Sequence, residues 1–148
     1  MKFLPGQETK NYLEDIVYEK KQVHKHCVDL TVKKVYQVTG ESSMDFGGSE
    51  FEPAEKKILK PKKKNDQDKY GWWNLKPGYY MFKYNELLTL APGQKAIVQI
   101  HPNLLKSGGF HPTIIKENSG ELNIPVIVNK KTNIKENARV SEVRIIEN

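Results

Sequence analysis

The chain has 148 residues, a formal charge of +6 and one cysteine, Cys27. That length suits a single domain, residues 1–148, able to bury about two-thirds of the surface its unfolded form exposes. A lone cysteine excludes an intrachain disulfide, and no Cys/His spacing resembles a zinc site. The opening MKFLPGQETK has no apolar signal-peptide core and no apolar run is long enough to span a bilayer, so the expectation is a cytoplasmic protein with no membrane contact.

Residues 1–20 give mixed signals and are expected to form an N-terminal arm. NYLEDIVYEK, from Asn11, keeps no clean helical period, so a turn or extended arm fits it as well as a short helix. From Gln22, the residues Val23, Val28, Leu30, Val32, Val35 and Val38 fall at strand-like spacings with polar residues between them, which predicts a strand interrupted once. His24, His26 and Cys27 read as ordinary residues of that strand. TGESSMDFGGSE, from Thr39, is a long connection or a very short hairpin, because Gly, Ser and Asp favour turns over ladder pairing.

Residues 54–70 are expected to be a basic loop insertion. From Lys56 to Lys69, the lysines Lys56, Lys57, Lys60, Lys62, Lys63, Lys64 and Lys69 stand against only Asp66 and Asp68, a pattern suited to phosphate backbones or another negative surface. The simpler reading is a solvated loop, since the run itself has no interleaved aromatics and no arginine. Pro61 makes any strand at Ile58 and Leu59 an edge strand.

The most informative stretch is Trp72 to Ile100, WWNLKPGYYMFKYNELLTLAPGQKAIVQI. Pro77-Gly78 and Pro92-Gly93 preset two turns, giving three strands, each expected to fold back on its neighbour. The middle strand carries bulk on both sides and is expected to be buried on both, or nearly so. Glu86 interrupts it, and a carboxylate there must be paired, hydrogen-bonded or exposed at a break. Beyond it, HPNLLKSGG from His101 predicts one helical turn ended by glycine. Thr113 to Ile115 predict a strand, and KENSG a turn. Leu122, Ile124, Val126 and Val128 alternate with Asn123, Pro125, Ile127 and Asn129, which predicts a strand with one wholly apolar face and an edge or bulge at Pro125. Asn133 to Asn137 predict a turn and Ala138 to Ile146 the last strand. Many short strands between Gly, Pro and Asn turns indicate an all-β barrel or sandwich. The usual hydrolase signatures, a phosphate loop, a nucleophile elbow and HExxH, are absent.

The order of these pieces resembles the superfamily of deoxyuridine triphosphatases (dUTPases) and dCTP deaminases. QVHKHCVDL from Gln22 is similar to its first motif. ESSMDFGGSE from Glu41, GWWNLKPGY from Gly71 and YNE ending at Glu86 resemble the archaeal branch, and ARVSEVRI from Ala138 resembles the closing segment. The resemblance implies a β-clip or distorted jelly-roll subunit, usually a homotrimer, that binds a deoxynucleoside triphosphate. It also implies dUTP pyrophosphatase or dCTP deaminase chemistry, with magnesium required if the chain is a dUTPase.

Two segments depart from that pattern. Where the family has Arg-Ser-Ser-Leu-x-Arg-x-Gly to grip phosphates, this chain has His101-Pro102-Asn103-Leu104-Leu105-Lys106-Ser107-Gly108. Pro102 offers no N–H, so Asn103 and Lys106 are what remains for phosphate binding, with Asp29 and Arg139 from the matched motifs beside them. Where the family places an Asp to orient the attacking water, counting back from Gly120 gives Ile115, with Asn118 at the aromatic position. Loss of a general base costs about 10² to 10⁴ in rate, roughly 3 to 5 kcal/mol. Glu117 and Glu86 are the candidate substitutes. Three functions are therefore expected in competition: a dUTPase-like protein without pyrophosphatase activity in a sensing, structural or regulatory role; an active hydrolase with a rearranged site drawing on Glu86, Glu117 or Glu121; and nucleic-acid binding through the basic segment.

Overall fold

The computed structural model describes all residues 1–148. Twelve strands carry the architecture: β1 Lys2–Phe3, β2 Leu13–Glu14, β3 Val28–Thr39, β4 Glu55–Leu59, β5 Trp72–Leu75, β6 Gly78–Leu88, β7 Lys95–Ile100, β8 Gly109–Phe110, β9 Ile114–Lys116, β10 Gly120–Val128, β11 Thr132–Lys135 and β12 Arg139–Glu147. Helices are short: α1 Gly6–Thr9, a 3-10 turn at Lys10–Tyr12, α2 Glu19–Gln22 and α3 Pro102–Lys106. The fold is all-β, a curled ten-stranded sheet whose main path runs β8-β10-β6-β3-β12-β7-β9, with β11-β5 as a separate pair.

The long β3 makes the curl. Its first residues, Val28 to Thr31, pair with β12, while Val32 to Gln37 pair with β6 and Val35 to Thr39 with β4. One strand thus belongs to both halves of the sheet, and the halves close on one apolar cluster built from Val28, Leu30 and Val32 of β3, Tyr80, Phe82 and Tyr84 of β6, Leu122, Ile124 and Val126 of β10, Val98 of β7, and Val143 and Ile145 of β12. The period-two pattern predicted for β10 is what puts Leu122, Ile124, Val126 and Val128 on its buried face. Pro125 pairs with Met81 on one side and sits where β8, which reaches only Ile127 and Val128, leaves the other side open. That open side tolerates the missing N–H.

Several expectations are corrected. The Pro-Gly turns do separate β5, β6 and β7, but the three do not pair with one another. β5 pairs with β11, β6 with β10 and β3, and β7 with β12 and β9. The turns carry the chain between sheet positions and do not close hairpins. β6 buries one face fully and leaves the other half-buried, with Tyr79 exposed at its start. Asn133–Lys135 is strand, not turn, because Thr132 and Ile134 alternate inward against β5 and only residues 136–137 turn. The first part of the basic segment is β4, an edge strand on β3. The N-terminal arm is docked: Leu4 and Leu13 are buried, and β1 and β2 pair with β12 and β6.

Candidate functional site

The site is built on Asp29, whose carboxylate is buried at the junction of β3 and β12. Strand geometry dictates its company. Asp29 is the second residue of β3, Cys27 ends the turn just before it, and the register sets Glu142 of β12 directly opposite Asp29. A register shift between Arg139 and Ser141 places one extra residue in β12, and such a bulge re-aims the side chains on either side of it. Arg139 consequently reaches across to donate to Asp29 Oδ2 at 3.1 Å and to the Lys21 carbonyl at 3.1 Å.

Two histidines complete the ring. His24, His26 and Cys27 are not strand residues as expected but form the turn His24–Cys27, closed by the Val23–Val28 bridge and by His24 N–H donating to the Cys27 carbonyl at 2.9 Å. It presents His24 Nε2 to Asp29 Oδ2 at 2.8 Å, and an ionised carboxylate can only accept. His101 is the N-cap of α3, and its Nδ1 accepts from the Asn103 N–H at 3.0 Å. That bond fixes the proton of the neutral ring on Nε2, which faces Asp29 Oδ2 from 3.6 Å. Pro102 then occupies the first helical position, where a missing N–H costs nothing.

Asp29 Oδ2 is therefore held from three directions, while Oδ1, equally buried, has no partner. Cys27 donates its thiol to Glu142 Oε2 at 3.7 Å, and Glu142 Oε1 lies 3.5 Å from Arg144. Burial, reinforced by the Glu142 charge, pushes the Cys27 thiol up to about 11, so it stays protonated at neutral pH and is a poor nucleophile. One sulfur and two carboxylate oxygens, from Cys27, Asp29 and Glu142, lie within 4.8 Å of one another and are the residues that could hold a metal ion. The cleft around them, about 320 Å³, is lined by these three with His24, His101, Arg139 and Arg144 among others. Its rim carries more positive than negative groups, which favours anionic ligands.

Two buried polar networks support this floor. Glu86 is sealed from solvent, accepting from the Thr31 N–H at 2.8 Å, the Thr31 hydroxyl at 2.6 Å and Gln22 Nε2 at 2.9 Å. Gln22 also donates to the Asp29 carbonyl at 2.8 Å, so Glu86 acts on the site through the backbone that carries Asp29. Burial raises its carboxyl above the ordinary glutamate value, although the bonds from Thr31 and Gln22 oppose the shift. Beside it, Tyr84 donates to Ser141, Ser141 to His111 Nε2, and His111 Nδ1 to the Pro112 carbonyl at 2.8 Å. Burial lowers the His111 pKa, in keeping with a neutral ring that accepts at Nε2.

The structure brings together Asp29 and Arg139 of the sequence candidates and adds His24, Cys27, His101 and Glu142. It separates the rest. Asn103 and Lys106 are exposed on α3, and Asn103 faces a neighbouring depression that Arg139 also lines. Ile115 is 62% exposed on the edge strand β9. Glu117 pairs with Lys95 at 3.0 Å and Glu121 with Lys83 at 3.1 Å, both at the surface. Glu86 is a hydrogen-bonded core acid, not a strand-break residue. The grouping of Cys27 with Glu142 is invisible to sequence spacing, since 115 residues separate them; a register assignment for β3 and β12 was the one signal able to find it.

Along most of its length the chain superposes on the 2′-deoxycytidine 5′-triphosphate deaminase of Agrobacterium tumefaciens, with a TM-score of 0.69 over 97% of its residues at 14% identity. The fold is that of this deaminase. Within it, this chain spans a little under half of that deaminase, 46%. A looser match, TM-score 0.42 at 9% identity, covers 76% of the chain and 88% of a mutant dUTPase from Staphylococcus bacteriophage 80alpha. No family model matches the sequence, and no curated protein matches it significantly. No helix is long and apolar enough to cross a membrane.

Proposed function

We propose that this chain binds the phosphates of a deoxynucleoside triphosphate at the cleft around Asp29 and Arg139, and that it is a sensing or regulatory relative of the dUTPases that has lost pyrophosphatase activity. The observation that carries the reading is Ile115. An aliphatic side chain stands on an exposed edge strand where the resemblance calls for the water-orienting acid, and it can neither accept a proton nor polarise water. Glu117, two residues on, is tied to Lys95 and lines a surface depression with Ile115, Lys116 and Asn118, apart from the Asp29 cleft. Glu86 is sealed in the core. An active site assembled from Glu86, Glu117 or Glu121 with Asp29 therefore has no convergent carboxylates within one chain.

Phosphate binding is supported by the cationic rim, where Arg139 and Arg144 supply the forked donors that suit phosphate oxygens. The magnesium that a dUTPase would need is poorly matched here, because the only cluster of candidate ligands includes the Cys27 sulfur and magnesium selects oxygen. A homotrimer is part of the same proposal. Tyr79, Ile127 and Phe110 are all exposed and sit at paired positions across β6, β10 and β8, an apolar row on the sheet that a second copy would cover.

The test is incubation with dUTP and dCTP, with and without magnesium, alongside calorimetric binding and sedimentation. The expected outcome is nucleotide binding that Arg139→Ala weakens about tenfold or more, consistent with one lost charged hydrogen bond of about 1.5 to 3 kcal/mol, and no pyrophosphate above the buffer control. Pyrophosphate release that disappears in Asp29→Asn or Glu117→Gln would overturn the reading.

A second reading has one observation in its favour. The structure gives the lysine segment the aromatics its own sequence lacks: Lys64 lies 4.3 Å and Lys135 5.6 Å from the Trp72 ring, and Lys56 4.9 Å from Tyr36. Cationic groups beside partly exposed rings suit single-stranded nucleic acid.

A further inference from the structure

We propose that Cys27, Asp29 and Glu142 form a binding site for a divalent transition-metal ion, zinc or a chemically similar ion such as cobalt(II). The proposal does not depend on nucleotide binding. Sulfur with two carboxylate oxygens is a donor set of intermediate softness, suited to zinc and its neighbours and not to magnesium or calcium.

The first reason is geometric. Asp29 is the second residue of β3, Cys27 ends the turn that leads directly into that strand, and Glu142 stands opposite Asp29 on β12. Their ligand atoms already lie within 4.8 Å of one another. In a tetrahedral site with metal–ligand bonds of about 2.0 to 2.3 Å the ligand atoms are roughly 3.3 to 3.8 Å apart, so side-chain movements of about an ångström would close it.

The second reason is the unpartnered oxygen. Asp29 is completely buried, and a buried carboxylate oxygen without a hydrogen bond is costly. Arg139 and His24 occupy Oδ2 and leave Oδ1 alone. A metal ion supplies the missing partner. The surrounding bonds are those that orient metal ligands: each carboxylate has one oxygen near a cation, Oδ2 of Asp29 at Arg139 and Oε1 of Glu142 near Arg144.

The third reason is charge. A thiolate and two carboxylates carry three negative charges, which exceed a divalent ion by one, and Arg139 and Arg144 line the same cleft to offset the remainder. On binding, a sulfur–metal bond forms as the thiol proton leaves to solvent. Three protein ligands leave a fourth position for water or an anion.

The experiment uses the tag-free full chain, stripped with chelator, titrated with cobalt(II) alone and zinc(II) alone and followed by absorbance and calorimetry. The expected result is one equivalent of cobalt bound with a sulfur-to-cobalt charge-transfer band, and its displacement by zinc but not by excess magnesium. Cys27→Ser should abolish the band, and Glu142→Gln should weaken zinc binding about tenfold or more with unchanged circular dichroism. The Glu142 variant keeps the test sound, because that side chain is partly exposed and its loss leaves Asp29 held in place. Absence of the band, a band that survives Cys27→Ser, zinc affinity equal to the parent's in Glu142→Gln, or magnesium competing as well as zinc would overturn the proposal.

Discussion

Truncating Glu86 tests whether the core acid is a positioning group for the Asp29 strand. In Glu86→Ala, three donors lose their acceptor: the Thr31 N–H, the Thr31 hydroxyl and one N–H of Gln22. The hydroxyl can rotate, and Gln22 keeps its bond to the Asp29 carbonyl, which leaves two donors stranded in the core. At about 1 to 3 kcal/mol for each, less the relief of no longer burying a carboxylate, the net loss should be about 3 kcal/mol. For a chain of this size that is a drop in Tm of roughly 6 to 12 °C. Glu86→Gln retains the acceptor for the Thr31 N–H but sets one amide N–H₂ against that of Gln22, so it should lose about half as much.

The pH dependence carries the same signature. Because burial raises the Glu86 carboxyl above 4.5, the folded state holds that proton more tightly than the unfolded chain. Its contribution is complete below the unfolded value and is lost as pH rises through the folded one. Urea unfolding across that range should show the parent losing ground to Glu86→Gln as pH rises. A Glu86→Ala variant within about 0.5 kcal/mol of the parent, or a Glu86→Gln variant equal to it in damage, would refute the assigned network.

Other outcomes follow from the same structure. His111, neutral and with its pKa lowered by burial, contributes stability that is present above its unfolded value and lost as pH falls through about 6.5 and below; His111→Gln should flatten that part of the urea-derived stability profile. A Cβ on Gly6 would sit 1.8 Å from the His24 carbonyl, so Gly6→Ala should push the His24–Cys27 turn outward and reduce both Tm and ligand affinity at the Asp29 cleft. Tyr84→Phe removes the donor to Ser141 and should cost about 1 kcal/mol in denaturant unfolding. If the lysine segment binds single-stranded nucleic acid, affinity should fall steeply with salt, and neutralising Lys62, Lys63 and Lys64 together, or Trp72→Ala, should weaken an electrophoretic shift; a salt-insensitive shift excludes it.

Local chemistry made much of this protein legible before any coordinates. Alternation at Leu122 to Val128 specified β10 and its buried face, because a side-chain period of two leaves an apolar set one way to point. His101 to Gly108 specified one helical turn and its stop, since proline suits the first helical position and Gly108 adopts a φ of 95°. The order of the motifs pointed to the fold that the chain shares with the deaminase. Pairing was not legible: turn residues say where a chain bends, not which strand it meets, so β5, β6 and β7 looked like a meander and are not one. The same limit hid the site. Asp29 and Arg139 stood out by motif, but Cys27, Glu142 and the Nε2 face of His101 became a cluster only once β3 and β12 were in register and a bulge had re-aimed Arg139. Propensity and periodicity act over a few residues, whereas register between strands more than a hundred residues apart is set by how the whole core packs, and that is decided in three dimensions.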